Sequence, residues 1–300
     1  WQYNKSEAFA SISAALRAGF TMVDTALDYG NQEAVGRAVA TVPREQVFLE
    51  TKVPGCLLDP STKNPFRCYE DTKTNLDTDL KLLNVSYIDL VIIHFPPAPV
   101  FALRSCGNLT GTCQMIRGQW QAMEEFYKAG KARAIGVSNY CPSCFACLDS
   151  VEVFPMVNQV MYHLGMGVDP QGFMSFAKRR GCVLQAYSAL GNAPWTHHAD
   201  TEILHGNLTS SVAHAHNVST VQVALKWVIS QGVPAVTKSG NLRHLEEDLD
   251  LWSWAFSAEE QASLDSHSKP AGAPSFACFS ATASDAVLDA RNDTPDAIIV

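Results

Sequence analysis

Seven short apolar runs, each closing on a polar or titratable side chain, constrain this 300-residue chain more than any other feature. Phe20–Val23 ends at Asp24, Val47–Leu49 runs into Glu50, Thr51 and Lys52, and Ile88–Ile93, with Asp89 inside it, ends at His94. Ala132–Val137 ends at Ser138-Asn139, Met156-Val157 at Asn158-Gln159, Cys182–Ala186 at Tyr187-Ser188, and Val233–Val236 at Thr237-Lys238-Ser239. None alternates strictly, so each reads as a strand buried on both faces. Between them lie stretches with helical spacing: Ser6–Ala18, Gln32–Ala40, Tyr69–Leu83, Trp120–Ala129, Cys144–Ser150, Pro170–Arg180, Thr220–Ser230 and Leu242–Leu251. Strands that alternate with helices imply a parallel sheet.

Such a sheet is either open or closed into a barrel. An open dinucleotide fold carries a Gly-x-Gly-x-x-Gly turn, and Gly165-Met166-Gly167 is followed by no third glycine at the required place. A (β/α)8 TIM barrel instead draws functional groups from the ends of many strands, which is the pattern here. The eighth strand is expected ahead of Trp1. No linker or repeat interrupts the βα pattern, so residues 1–300 read as a single domain with an atypical tail from about Ser266. Two connections exceed ordinary loop length: Pro96–Gly118, which holds Phe101, and Ala189–His205, which holds Trp195, His197 and His198.

Net charge is −8 with a pI near 5.6. With no basic stripe, nucleic acid is excluded as the main partner, while a local cationic pocket for a small anion is not. No apolar run approaches the ~18–20 residues of a membrane span. The nine cysteines form no zinc-type spacing. Cys141, Cys144 and Cys147 recur every three residues and read as small core-facing groups on one helix face, and Cys106 and Cys113 bracket a polar loop that a disulfide between them would close in an oxidising compartment. Asn-x-Ser/Thr sequons stand at Asn84, Asn108, Asn207, Asn217 and Asn292. The sequons and cysteines together raise a secretory or organelle-lumen origin as the alternative, with the cytosol still slightly ahead.

The order and spacing of the landmarks resemble the aldo-keto reductases from Trp1 to about Leu264. The matching residues are Gly19-Phe20, Val23-Asp24-Thr25-Ala26, Tyr29, Asn31-Gln32-Glu33, Thr51-Lys52, Ile93-His94-Phe95-Pro96, Gly136-Val137-Ser138-Asn139, Val157-Asn158-Gln159, Ala186-Tyr187-Ser188 and Lys238-Ser239. The resemblance implies a (β/α)8 barrel using NADPH, with Asp24, Tyr29, Lys52 and His94 as catalytic tetrad. A carbonyl that accepts hydride must also receive a proton. A free phenol near pKa 10 is a poor donor, and an adjacent ammonium lowers that value. Lys52 is expected in that role, held by Asp24, with His94 donating to the developing oxyanion.

By the same resemblance Ser138, Asn139 and Gln159 hold the nicotinamide carboxamide and Tyr187 stacks on its ring. Ser188, Leu190, Lys238 and Ser239 line the pyrophosphate and adenosine end. The arginine expected six residues after Lys238 is replaced by His244, with Arg243 one position early, so NADH is the alternative to NADPH. Trp1, Phe95, Phe101 and Trp195, with Phe276 and Phe279, suit a hydrophobic aldehyde or ketone. The expected partner is a small-molecule carbonyl, with monomer or assembly subunit left open. The competing expectation is a nucleotide-binding barrel of little or no activity, serving as a subunit or redox sensor.

Overall fold

The computed structural model describes residues 4–56, 65–97, 106–191 and 201–267. Trp1, Phe101, Trp195, His197, His198, Cys278 and Asn292 lie outside these residues, as does the tail from 268. The described elements alternate through most of the chain: α1 (Lys5–Ala18), β1 (Met22–Asp24), α2 (Gln32–Val39), β2 (Phe48–Val53), α3 (Pro65–Leu83), β3 (Ile88–Ile93), α4 (Thr112–Lys128) and β4 (Ala132–Ser138). They continue through α5 (Pro142–Phe145), β5 (Val157–Met161), α6 (Phe173–Arg179), β6 (Val183–Tyr187), α7 (Thr201–His205), α8 (Asn207–His216), α9 (Thr220–Ser230), α10 (Leu242–Leu249) and α11 (Ala258–Asp265).

The strands pair in chain order, β1-β2-β3-β4-β5-β6, and every pair is parallel. Parallel neighbours need a crossover, and helices supply it. This is the (β/α)8 barrel plan, with six laddered strands among the described residues. The run Val233–Val236 contributes one bridge, Ala186 to Ala235, instead of a full strand. Pro234 accepts from Ala186 but has no N–H to return, which limits the ladder.

Strand β3 is buried along its whole length, as its unalternating sequence requires. Asp89 within it is not an exception to core packing but the centre of a clamp. Its carboxylate accepts from Arg44 at 2.6 Å, from Arg133 at 3.1 Å and from the Leu49 amide at 2.9 Å. The two guanidiniums also lie about the Tyr87 ring, 4.1 and 4.0 Å from its centroid. Tyr87 and Asp89 stand at the start of β3, so this clamp closes the barrel end opposite the strand-end carboxylates and amides.

Several expectations shift at their edges. α3 begins at Pro65 and α4 at Thr112, so the second part of the long segment after β3 is helix. β5 extends to Met161, past Asn158 and Gln159. α7, which falls in the stretch read as the loop Ala189–His205, was not expected, nor were α8 and α11. α11 has only Leu264 buried, so no apolar stripe announces it, although its Ser257/Glu260 capping box was readable.

The cysteines depart most from the sequence reading. Cys106 does not pair with Cys113. Cys106 bonds Cys144 and Cys113 bonds Cys147, with Cα separations of 5.4 and 4.9 Å, and Cys56 bonds Cys68 at 5.4 Å. These spacings lie in the range a disulfide spans. Cys144 and Cys147 are therefore cross-links, not merely small core residues. The α5 segment presents them one turn apart, opposite the two cysteines of the β3–α4 segment. The two segments approach so closely that a Cβ on Gly107 would lie 1.8 Å from the Ser143 carbonyl oxygen.

Candidate active site

Side chains on a strand alternate between faces, so Glu50 and Lys52 of β2 share the barrel interior. Lys52 is 1% exposed. Its Nζ donates to both Asp24 carboxylate oxygens, at 2.5 and 2.7 Å, and to the Thr25 carbonyl at 3.0 Å. Burial alone would push the ammonium down, but Asp24, then Tyr29 and Glu50, outweigh it and hold Lys52 above its ordinary range.

Tyr29 closes a 3-10 turn at Leu27–Tyr29 that follows β1. Gly30 ends the turn at φ 68, a conformation that costs glycine least. The turn brings the phenol ring back so that Lys52 Nζ lies 5.4 Å from its centroid. The expected fall in the phenol's pKa is not found. Burial raises it, Asp24 and Asp28 add to the rise, and the Lys52 ammonium offsets only part. Near neutral pH the hydroxyl keeps its proton.

His94 stands edge-on to Tyr29, ring centroids 5.7 Å apart, and stacks on Phe95 at 4.6 Å. Its Nδ1 faces both carboxylate oxygens of Asp28 at 3.1 Å. Burial would raise the Asp28 carboxyl, but the hydrogen bond and charge of His94 prevail and hold it below the usual range. Asp28 was not among the expected site residues. It sits inside the Asp24–Tyr29 motif, but only the turn shows which ring it meets.

The amide-binding candidates converge beside this group. Ser138 Oγ donates to the Gln159 carbonyl at 2.7 Å. Asn139, at φ 62, donates through Nδ2 to the His94 carbonyl at 3.1 Å and to Ser138 Oγ at 3.0 Å. The Tyr187 hydroxyl donates to Asn139 Oδ1 at 2.8 Å, which fixes that ring next to the strand ends. Ser188 follows at φ 51, with Leu190 packed against the core.

Beneath lies a polar layer that the sequence reading missed. Gln159 Nε2 has three acceptors for two hydrogens: Asp24 at 3.1 Å, Glu50 at 3.0 Å and Gln185 at 2.6 Å. Gln185 Nε2 in turn donates to Glu50 at 2.8 Å. Glu50 is pushed up to about 8, first by burial and then by Asp24, against Lys52 and the Gln185 hydrogen bond. Between the ordinary carboxylate range and about pH 8, the native chain keeps a proton that the unfolded chain has released, so stability falls as pH rises. Glu50→Gln removes this titration. Its melting temperature is expected to fall less than the wild type's between about pH 5 and about pH 9. Parallel melting curves for the two proteins across that range would show Glu50 already ionised in the native state.

The remaining cofactor candidates sit farther along the rim. Lys238 is exposed, and the Ser239 carbonyl accepts from Ser11 Oγ at 2.8 Å. Arg243 and His244 are both exposed in the first turn of α10, where Arg243 pairs with Glu247 at 3.4 Å. Of the expected substrate-wall residues only Phe95 falls within the described residues. No group of His, Cys, Asp and Glu able to hold a metal occurs among them, and no helix there is long and apolar enough to cross a membrane.

The donor set fits a nicotinamide nucleotide. Amide and hydroxyl groups of Ser138, Asn139 and Gln159 match a carboxamide, Tyr187 offers a ring face, and Lys238 offers an exposed cation. The family model described as "Aldo/keto reductase family" matches residues 1–269. A glyoxal reductase of Bacillus subtilis (strain 168) is 30% identical over 269 residues, covering 89% of this chain and 85% of that protein. A D-galacturonate reductase of Fragaria ananassa is 33% identical over 261 residues, covering 84% of this chain and 78% of that protein. The crystal structure of MGS-M4, an aldo-keto reductase enzyme from a Medee basin deep-sea metagenome library, superposes with a TM-score of 0.74 at 27% identity, covering 89% of each chain. With a strand-end acid, phenol, amine and imidazole gathered at one barrel mouth and this match over most of its length, the chain belongs to the aldo/keto reductase family of oxidoreductases.

Proposed function

We propose that this oxidoreductase reduces an aldehyde or ketone to an alcohol with NADPH, and that Tyr29 is the proton donor. The observation that carries this reading is the buried Lys52–Asp24 pair, its ammonium 5.4 Å from the ring centroid of a phenol that keeps its proton, with an imidazole edge-on to the same ring. Relatives bearing the names glyoxal reductase and D-galacturonate reductase support the carbonyl class. The bound nicotinamide supplies hydride to the carbonyl carbon. The Tyr29 hydroxyl delivers its proton to the carbonyl oxygen, and Lys52 stabilises the phenolate left behind. Asp24 keeps the ammonium in place. His94 orients the carbonyl and presents its Nε2 edge to the oxygen. Ser138, Asn139 and Gln159 hold the carboxamide, Tyr187 covers one ring face, and Ser188, Leu190, Lys238 and Ser239 serve the phosphate and adenosine end. Exposed Lys238 favours NADPH. Arg243, paired with Glu247 at 3.4 Å, stands at the same end.

Stopped-flow oxidation of bound NADPH by a panel of aldehydes tests the reading, with rapid single-turnover oxidation as the expected result. Tight cofactor binding with no oxidation across the panel would instead favour the inactive, nucleotide-binding alternative.

Asp28 has a positioning role in this reading. The hydrogen bond between Asp28 and Nδ1 of His94 holds the imidazole ring in the orientation that presents its other edge to the substrate oxygen. A hydrogen bond to a charged group contributes about 1.5–3 kcal/mol. Asp28→Asn is therefore expected to lower kcat by about tenfold or more with cofactor affinity retained. Steady-state kinetics beside a fluorescence titration of NADPH checks this, and an unaltered kcat would remove Asp28 from the mechanism.

A further inference from the structure

We infer that Asn108 is an N-glycosylation site and that this chain matures in an oxidising, glycosylating lumen. The inference does not depend on the proposed reaction. Asn108 and Thr110, the two recognition residues of the sequon Asn108-Leu109-Thr110, are both exposed, and neither side chain hydrogen-bonds another described residue. Packing and capping therefore give no account of this tripeptide. The sequon at Asn217 is different. Asn217 caps α8 at φ 54, and Ser219 caps α9 with its hydroxyl on the Gln222 amide, so helix capping alone explains both residues. At Asn207 the sequon hydroxyl, Thr209, is fully buried and has a structural hydrogen bond to Gly206. At Asn84 the asparagine adopts φ 54 just past the end of α3, where asparagine is among the few residues that fit.

The surroundings of Asn108 supply the second observation. The tripeptide lies between Cys106 and Cys113, each of which is bonded to the α5 segment, and Cys56–Cys68 adds a third bridge. Disulfides of this kind form and persist in secretory or periplasmic compartments and are reduced in an ordinary cytosol. A chain that acquires them in a eukaryotic secretory lumen also meets the machinery that modifies exposed Asn-x-Ser/Thr. The two features reinforce each other because they occupy the same eight residues. In the transfer, the Asn108 amide nitrogen forms a bond to the anomeric carbon of a lipid-linked oligosaccharide. The anomeric carbon–oxygen bond to the lipid pyrophosphate breaks, and the amide loses one proton. No electron transfer is needed. Asn108 belongs to the segment that follows His94 and β3, so the glycan stands on the same side of the barrel as the strand-end site. This placement reverses the slight preference for the cytosol drawn from sequence.

Protein isolated from its natural source and digested without reductant decides the question by mass spectrometry. Peptide N-glycosidase treatment in 18O-water is expected to convert Asn108 to 18O-labelled aspartate, with Cys106–Cys144 cross-linked peptides in the same digest. Asn108→Gln, secreted from cultured eukaryotic cells, is expected to migrate faster than the wild type by one glycan while keeping those cross-links. Recovery of Asn108 solely as unmodified asparagine, or of Cys106 and Cys144 as free thiols, would overturn the proposal. The readouts are masses, so a failure of the carbonyl-reductase reading leaves this test intact.

Discussion

Tyr29→Phe is expected to abolish carbonyl reduction while leaving NADPH binding nearly unchanged. The substitution removes one oxygen and keeps the ring. A positioned general acid contributes about 10²–10⁴ in rate, and no nearby hydroxyl in the described site replaces it: the Tyr187 hydroxyl is committed to Asn139 at 2.8 Å. Loss of the phenol also takes away one partner that holds Lys52 in its cationic form, but Asp24 remains with two short hydrogen bonds. The ammonium should therefore stay charged and the variant should fold normally. Single-turnover oxidation of NADPH, paired with a cofactor titration, reads both halves of the expectation. Retained turnover would assign the proton to another group. A parallel collapse of cofactor affinity would show that Tyr29 shapes the nucleotide site rather than the chemistry.

Reduction of the disulfides is expected to produce the largest loss of stability. The bridge Cys106–Cys144 closes 38 residues of chain and Cys113–Cys147 closes 34. Constraining the unfolded chain over a loop of that size contributes roughly 4 kcal/mol. The two loops overlap, so their effects do not simply add. For a chain of this length the resulting fall in melting temperature is on the order of 10 °C. Differential scanning calorimetry with and without a phosphine reductant, with thiols counted in each sample, gives the measurement. An unchanged melting temperature in a sample whose thiols titrate as free would show that non-covalent packing alone holds these segments. Both bridges join the segment after β3 to the segment after β4, the strands that end near His94 and Ser138-Asn139. A loss of turnover before global unfolding is accordingly expected as reductant is added.

These two expectations draw on different kinds of information. Asp24, Lys52 and His94 were legible as polar groups at the ends of contiguous apolar runs, while their grouping with Tyr29 as a tetrad came from the resemblance to the aldo-keto reductases. A buried parallel strand announces itself by composition, and the residue that ends it is delivered to one rim of the barrel whatever the details of packing. Ser138-Asn139 and Gln159 were legible as strand-end polar residues in the same way, and their expected role came from the resemblance. The helices followed from spacing, with Thr220–Ser230 recovered as α9 to the residue. Where spacing was weak, as in α8 and α11, the helices were missed.

What tertiary structure alone decided is which distant groups meet. Glu50 touches Gln159 across 109 residues and Gln185 across 135, and it is the burial of that layer, together with nearby Asp24, that turns a strand-end acid into a proton-holding carboxyl. His94 meets Asp28 across 66 residues. The cysteines, chemically alike, carry no mark of their partners, so local bracketing suggested Cys106 with Cys113, whereas the fold pairs each with the segment that follows β4. Periodicity is a property of contiguous chain and is written in it. Partnership between side chains far apart in sequence depends on how the sheet bends and how its loops fold back, and no single stretch of residues encodes that.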